Sequence, residues 1–191
     1  MSCDISHGRI EPCKDAVGGL KNLYILNYGL YDETDITYDT TVGYEDVITG
    51  ITLTPIAPAT TAYIYKFELK GTNSFEQTIT SSRENGTTFF EQVLTVMLKK
   101  QDAITHKQIK LLSYGRPNII VENNNGQYFI AGLLRGMDVT AGTISNGTAL
   151  GDMNGYSLTF TGQEATPANF LDAATEAQLV TLLNNPTVVN S

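Results

Sequence analysis

Tryptophan is absent from this chain of 191 residues, histidine and cysteine occur twice each, and only 12 lysines and arginines stand against 20 acids. Each shortage removes a class of function. Without tryptophan, the broad aromatic platforms on which sugars stack are missing. His7 and His106 lie far apart in sequence, and neither neighbours a nucleophile or carboxylate motif, so no catalytic residue is assigned. Cys3, His7 and Cys13 match no zinc-ligand spacing and lack a fourth donor; they are read as reduced thiols beside an imidazole. Asp32, Glu33, Asp35 and Asp39 are hard oxygen donors, yet the glycine and closing glutamate of an EF-hand loop are not in place, so residues 31–46 read as a solvated acidic loop with no metal. Gly142, Gly147 and Gly151 are followed by no Lys-Ser/Thr pair, which leaves no phosphate cradle and no cofactor. No apolar run approaches the length of a membrane span and no signal-like segment opens the chain, so no membrane insertion is expected and synthesis and retention in a cytoplasm are. The formal charge of −8 excludes sequence-reading of DNA but not the passage of DNA along a surface that offers phosphates no counter-charge.

What is present favours β structure. Seventeen glycines, abundant threonine, ten tyrosines and seven phenylalanines suit pleated, half-buried surfaces. The length fits one domain over residues 1–191. Residues 1–19 form an irregular arm, 20–168 a β core, and 169–191 a C-terminal arm with a short helix. Leu20 to Tyr28 reads as the first strand and Val47 to Thr54 as a second, ended by Pro55 and Pro58. In 63–70 the alternation is clear: Tyr63, Tyr65, Phe67 and Leu69 turn one way, Lys66, Glu68 and Lys70 the other, predicting a strand with one wet face.

Residues 74–98 predict a long β-hairpin. Its turn is Arg83-Glu84-Asn85-Gly86, where Asn-Gly suits the two positive φ angles of a type I′ turn. The outer part is rich in Thr and Ser, too polar for a core, yet carries Ile79, Phe89 and Phe90; with Phe75 these are the candidate contact residues for another copy of the chain. Val93, Leu94, Val96, Met97 and Leu98 predict a strand covered on both faces, one of them by the helix that follows. Asp102 caps that helix, Ile104, Leu111, Leu112 and Tyr114 share its apolar face, and Gly115 and Pro117 end it, leaving His106 exposed. Strands follow at 118–122 and 127–134, then a flexible connection at 140–155, then a strand at 156–163. Phe170, Leu171, Ala174, Leu179, Leu182 and Leu183 space out a short amphipathic helix.

The order of hairpin, helix and β-meander, together with the ending Tyr156-Ser157-Leu158-Thr159-Phe160-Thr161-Gly162-Gln163-Glu164 and then Pro167-Ala168, resembles the tail-tube proteins of bacteriophages and contractile injection systems. The phrase from Gly8 to Lys14, with Gly18-Gly19-Leu20-Lys21, is similar to virion structural proteins of crAss-like phages. The resemblance implies a mainly β barrel or sandwich with one short flanking helix and a projecting hairpin. It also implies a non-enzymatic virion protein of the tail, assembled in the host cytoplasm. Its partners would be further copies in a six- or twelve-fold ring or tube and the adjacent tail or portal proteins, and DNA would pass through the channel without sequence-specific binding. A β-sandwich module binding a glycan or protein ligand is the alternative expectation.

Overall fold

A computed structural model describes residues 5, 7–11 and 13–190. The chain is mainly β, folded as two open sheets that face each other as a sandwich; neither sheet closes into a barrel. The larger sheet has eight strands in the order β12-β4-β1-β7-β8-β11-β3-β2. Its members are β1 (Leu20–Leu26), β2 (Ile36–Tyr38), β3 (Ile48–Ile51), β4 (Tyr63–Glu68), β7 (Asn118–Asn123), β8 (Tyr128–Ala131), β11 (Asn169–Leu171) and β12 (Thr187–Val189). The smaller sheet runs β5-β6-β10-β9, built from β5 (Ser74–Ser82), β6 (Thr87–Lys99), β9 (Asp138–Ser145) and β10 (Gly155–Glu164). Two α-helices complete it, α1 (Ala103–Leu112) and α2 (Glu176–Leu182). No described helix is long and apolar enough to cross a membrane.

Two apolar clusters lie on opposite faces of the large sheet. Leu23, Ile119, Val121 and Ala131 of that sheet meet Leu94, Val96, Tyr156, Leu158 and Phe160 of the small one, forming the core between the sheets. On the far side, Tyr24, Leu26, Ile64, Ile120, Tyr128 and Ile130 pack with Ile48, Ile51 and Leu171 beneath Leu179, Leu182 and Leu183 of the α2 segment. Strands β1 and β7 are therefore buried on both faces, which is why their sequences read as apolar runs without alternation.

The second cluster corrects the reading of 63–70. Phe67 and Leu69 do turn to the core between the sheets, but Ile64 is fully buried on the opposite face and Tyr63 is exposed. On the face that reads as wet, Glu68 and Lys70 are exposed as expected, but Lys66 and Ile64 lie under the α2 segment. Helix α1 differs similarly: Ile109 is buried and Leu112 packs against the inter-sheet core, whereas Ile104, Leu111 and Tyr114 face solvent. Asp102 caps the helix as expected, accepting from the amides of Ile104 and Thr105 at 2.9 and 2.8 Å. Along β6 burial alternates, with Gln92, Leu94 and Val96 inside and Val93, Thr95 and Met97 half-exposed, so one face only is fully covered.

The segment 140–155 is the largest departure. Its first half is strand β9, paired with β10 from Thr161↔Asp138 to Gly155↔Ser145, with an irregularity between Thr159 and Phe160. Only residues 146–154 remain as a loop. Gly142 allows the pairing, since a Cβ there would sit 3.0 Å from Leu158 Cδ2 and 3.1 Å from the Ser157 carbonyl. At the C-terminus, β12 pairs in parallel with β4, so the last described residues belong to the large sheet.

Candidate assembly surface

The hairpin forms with Ser82 opposite Thr87, and a four-residue turn, 83–86, joins them. Gly86 has φ +63 whereas Asn85 is not left-handed, so the two-residue type I′ turn expected from Asn-Gly is replaced by a longer loop closed at glycine. The hairpin projects modestly. β10 accompanies β6 as far as Glu164↔Phe90, leaving only the pairs Thr80↔Phe89, Ser81↔Thr88 and Ser82↔Thr87 beyond it.

The four expected contact residues are not equivalent. Phe75 packs against the core between the sheets, opposite Leu94, and so supports the fold. Ile79 is 67 % exposed and pairs across the ladder with half-buried Phe90. Phe89 is half-buried and, one residue along, turns to the other face. Ile79 is thus the open apolar side chain of the set.

What reading the hairpin alone misses is that it is one edge of a sheet with a second free edge. Among the described residues β5 pairs only with β6 and β9 only with β10, so strands of nine and eight residues each present an unpaired backbone edge. The sheet's two faces differ. Because Leu94, Val96, Leu158 and Phe160 point inward, alternation turns Glu91, Val93, Thr95 and Met97 of β6 and Ser157, Thr159, Thr161 and Gln163 of β10 outward. The same register puts Glu76, Thr78 and Thr80 of β5 and Asp138 of β9 on that outer face. Hydroxyls dominate it; Glu76, Glu91 and Asp138 outnumber Lys99.

The ending 156–164 earns its pattern from a single turn, 132–137, which carries the chain from the large sheet into β9. Buried Glu164 accepts from the amides of Leu134 and Arg135 at 3.0 and 2.7 Å through Oε1. Gly162 lets that turn lie close, because a Cβ would sit 3.1 Å from the Gly136 carbonyl. From the other side buried Gln92 accepts from the Gly132 amide at 2.8 Å, and Gln77 accepts from the Ala168 amide at 2.7 Å. Beside the turn, at the start of β9, Arg116 and Arg135 line a cleft of about 280 Å³ with Asp138, Thr140, Thr161 and Gln163. Arg116 lies 3.8 Å from Asp138 and 5.9 Å from the centre of the Tyr28 ring.

A polar network occupies the opposite face of the large sheet. Buried Glu122 accepts from Lys21 at 2.7 Å and from Asn22 at 2.6 Å, while the Tyr24 hydroxyl lies 3.4 Å from Glu122 and 3.0 Å from Glu176. Lys66 donates to Glu176. The Lys66 hydrogen bond lowers the Glu176 pKa; burial raises that of Tyr24 and carries Tyr128 to about 12. These groups satisfy one another, and their effect is to bolt α2 to β1 and β4 across more than a hundred residues of sequence.

The remaining expected sites are placed as follows. Asp32 accepts from the Thr34 amide, Asp35 from the Asp32 amide, Asp39 from the Thr41 amide and Glu45 from the Gly43 amide, so the acidic loop uses its carboxylates to hold its own backbone. His106 is exposed on α1, its ring 6.2 Å from that of Tyr156. Cys13 is exposed; Cys3 lies outside the described residues, as does Pro12 of the N-terminal phrase. Compared with family models, curated proteins and solved structures, the chain matches none of them.

Proposed function

We propose that this chain is a structural subunit of a phage-type tail, assembling through the small sheet into a ring or tube whose bore carries DNA. The observation that carries the reading is the pair of free edges on the β5-β6-β10-β9 sheet. All three internal pairings are antiparallel, so with four strands the outermost two run in opposite directions. Rotation about a ring axis therefore sets β9 of one copy antiparallel to β5 of the next, the arrangement that continues the antiparallel order and pairs both edges of that sheet on closure.

The stagger of the two edges supports the same geometry. The middle of β5, Thr78, is level with Glu91 on β6, whereas the middle of β9 is level with Thr95 and Val96. That offset is about 4.5 residues, or roughly 15 Å, across a four-strand repeat roughly 19 Å wide. Full pairing between copies requires strands tilted by about 38°, within the ~35–45° of closed barrels. Six copies would make a barrel of about 24 strands with a backbone radius of roughly 23 Å.

The face turned away from the core becomes the bore. Its strands carry mostly neutral threonine and serine with Glu76, Glu91 and Asp138 against Lys99, while Arg116 and Arg135 stand at the rim beside Asp138, so the phosphate-binding cations are confined to that rim. The experiment is solution mass and electron microscopy of the purified chain, alone and with its virion partners. Rings or tubes whose inner wall is a continuous antiparallel sheet are expected; a chain that stays monomeric at every concentration and beside those partners, or rings with a basic bore, would overturn the reading.

A further inference from the structure

The arginine cleft at the start of β9 lies where a neighbouring copy's hairpin would end. Pairing the start of β9 with the end of β5 of the next copy sets Asp138 opposite Ser82, both on the outer face; the irregularity after Val139 ends that register, since farther along Ser145 faces outward and Phe75 inward. The turn after Ser82 then runs past the start of β9, over the 132–137 turn that carries Arg135. That hairpin turn holds two charges, Arg83 and Glu84, both exposed.

We propose that this cleft is a socket for the hairpin tip of the adjacent copy, with Glu84 received by Arg135 and Arg116 and Arg83 facing Asp138. The inference rests on the ring reading and adds to it a device that sets register. Two of the chain's four arginines line the socket and a third sits on the tip, so the sign pattern matches on both sides of the contact. The socket is preorganised. Glu164 fixes the Arg135 backbone, and Tyr28 and Asp138 hold the Arg116 guanidinium beside it with half of its side chain still exposed. A backbone ladder by itself tolerates slippage, and an outer face of repeated Thr and Ser specifies register weakly. A two-residue slip would move the tip by roughly 7 Å and separate these charges.

The test uses the full chain with Glu84→Arg, with Arg135→Glu, and with both. Both positions are exposed, so the melting temperature of the unassembled subunit serves as the control for folding. At low salt each single reversal should raise the concentration for half-assembly by at least about tenfold, because it sets like charges together. The double reversal should return to within about threefold of the wild type, and added salt should narrow all the differences. A second measurement places Glu84→Cys and Arg135→Cys in a chain whose Cys3 and Cys13 are replaced by Ser. On a non-reducing gel a bond within one copy would leave a monomer, whereas a bond between copies gives a covalent ladder. Rings that form normally while the double reversal fails to rescue and no ladder grows would overturn the socket and leave the ring reading standing. A wild-type chain that forms no rings would overturn both.

Discussion

The two sheets of this protein deal with their surfaces in opposite ways. The large sheet is covered on both faces, by the inter-sheet core on one side and by the α2 segment on the other, and its roof is bolted down by Lys66, Glu176, Tyr24 and Glu122. The small sheet is covered on one face, leaves two long edges unpaired and turns a hydroxyl-rich face outward. The first has no backbone edge of comparable length to offer, since its terminal strands β2 and β12 have three residues each. In the second, β5 and β9 each have one paired neighbour among the described residues, the feature on which the assembly proposal rests. Substitutions in the first should therefore act on folding, and substitutions at the rim of the second on assembly.

The largest effect on folding is expected where the sheets meet. Leu94 is fully buried between them, and Leu94→Ala should cost about 2–5 kcal/mol in a denaturant titration of the subunit. Next comes Glu164→Ala, which leaves the amides of Leu134 and Arg135 without their acceptor and should cost about 1–3 kcal/mol, with faster amide exchange confined first to residues 132–137. Smaller still is Lys66→Met at the α2 bolt, about 1 kcal/mol or less because the pair is partly solvated. The acid dependence of that bolt has a defined sign. The folded Glu176 pKa lies below its ordinary value, so its contribution is present above the carboxylate's unfolded pKa and is lost as pH falls through the folded one. Melting curves of the wild type and Glu176→Gln should therefore differ at pH 7 and converge in acid; a constant gap would mean that the carboxylate charge is not what holds α2. Smallest on folding, and largest on assembly, is replacement of residues 80–89 by Asn-Gly, which closes the hairpin at Ile79↔Phe90. It removes only the overhang beyond β10, so the subunit should melt within about 0.5 kcal/mol of the wild type while ring formation is lost. Loss of folding instead would place the overhang in the core.

This division also explains what could be read from the residues alone. Strand β10 and α2 follow from periodicity because each buries a regular stripe, whereas the hairpin follows from its turn signal and α1 from its Asp102 cap and Gly115-Pro117 end, its expected apolar face being exposed at Ile104, Leu111 and Tyr114. Strand β9 did not, because of its eight residues only Val139 packs against the core; residues 140–143 and Ser145 are small, and Ile144 is 51 % exposed. An edge strand with so little packed against it leaves no apolar alternation to detect. Ile64 and Lys66 escaped for a different reason, since the roof over them comes from more than a hundred residues further along the chain. The contact set Phe75, Ile79, Phe89 and Phe90 was chosen by size, and the structure divides it by position into a core residue, an exposed one and two half-buried ones. Glu164 was legible as the end of a pattern, but its work on the turn that positions Arg135 was not.

Hydrogen exchange compared between dilute subunits and assembled material tests the central claim most directly. Joining the small sheets should slow the edge amides of β5 (Ser74–Ser82) and β9 (Asp138–Ser145), while those of β2 and β12 keep their rates. Assemblies in which β5 and β9 exchange as fast as in the free subunit, with protection gained instead at β2 or β12, would contradict it.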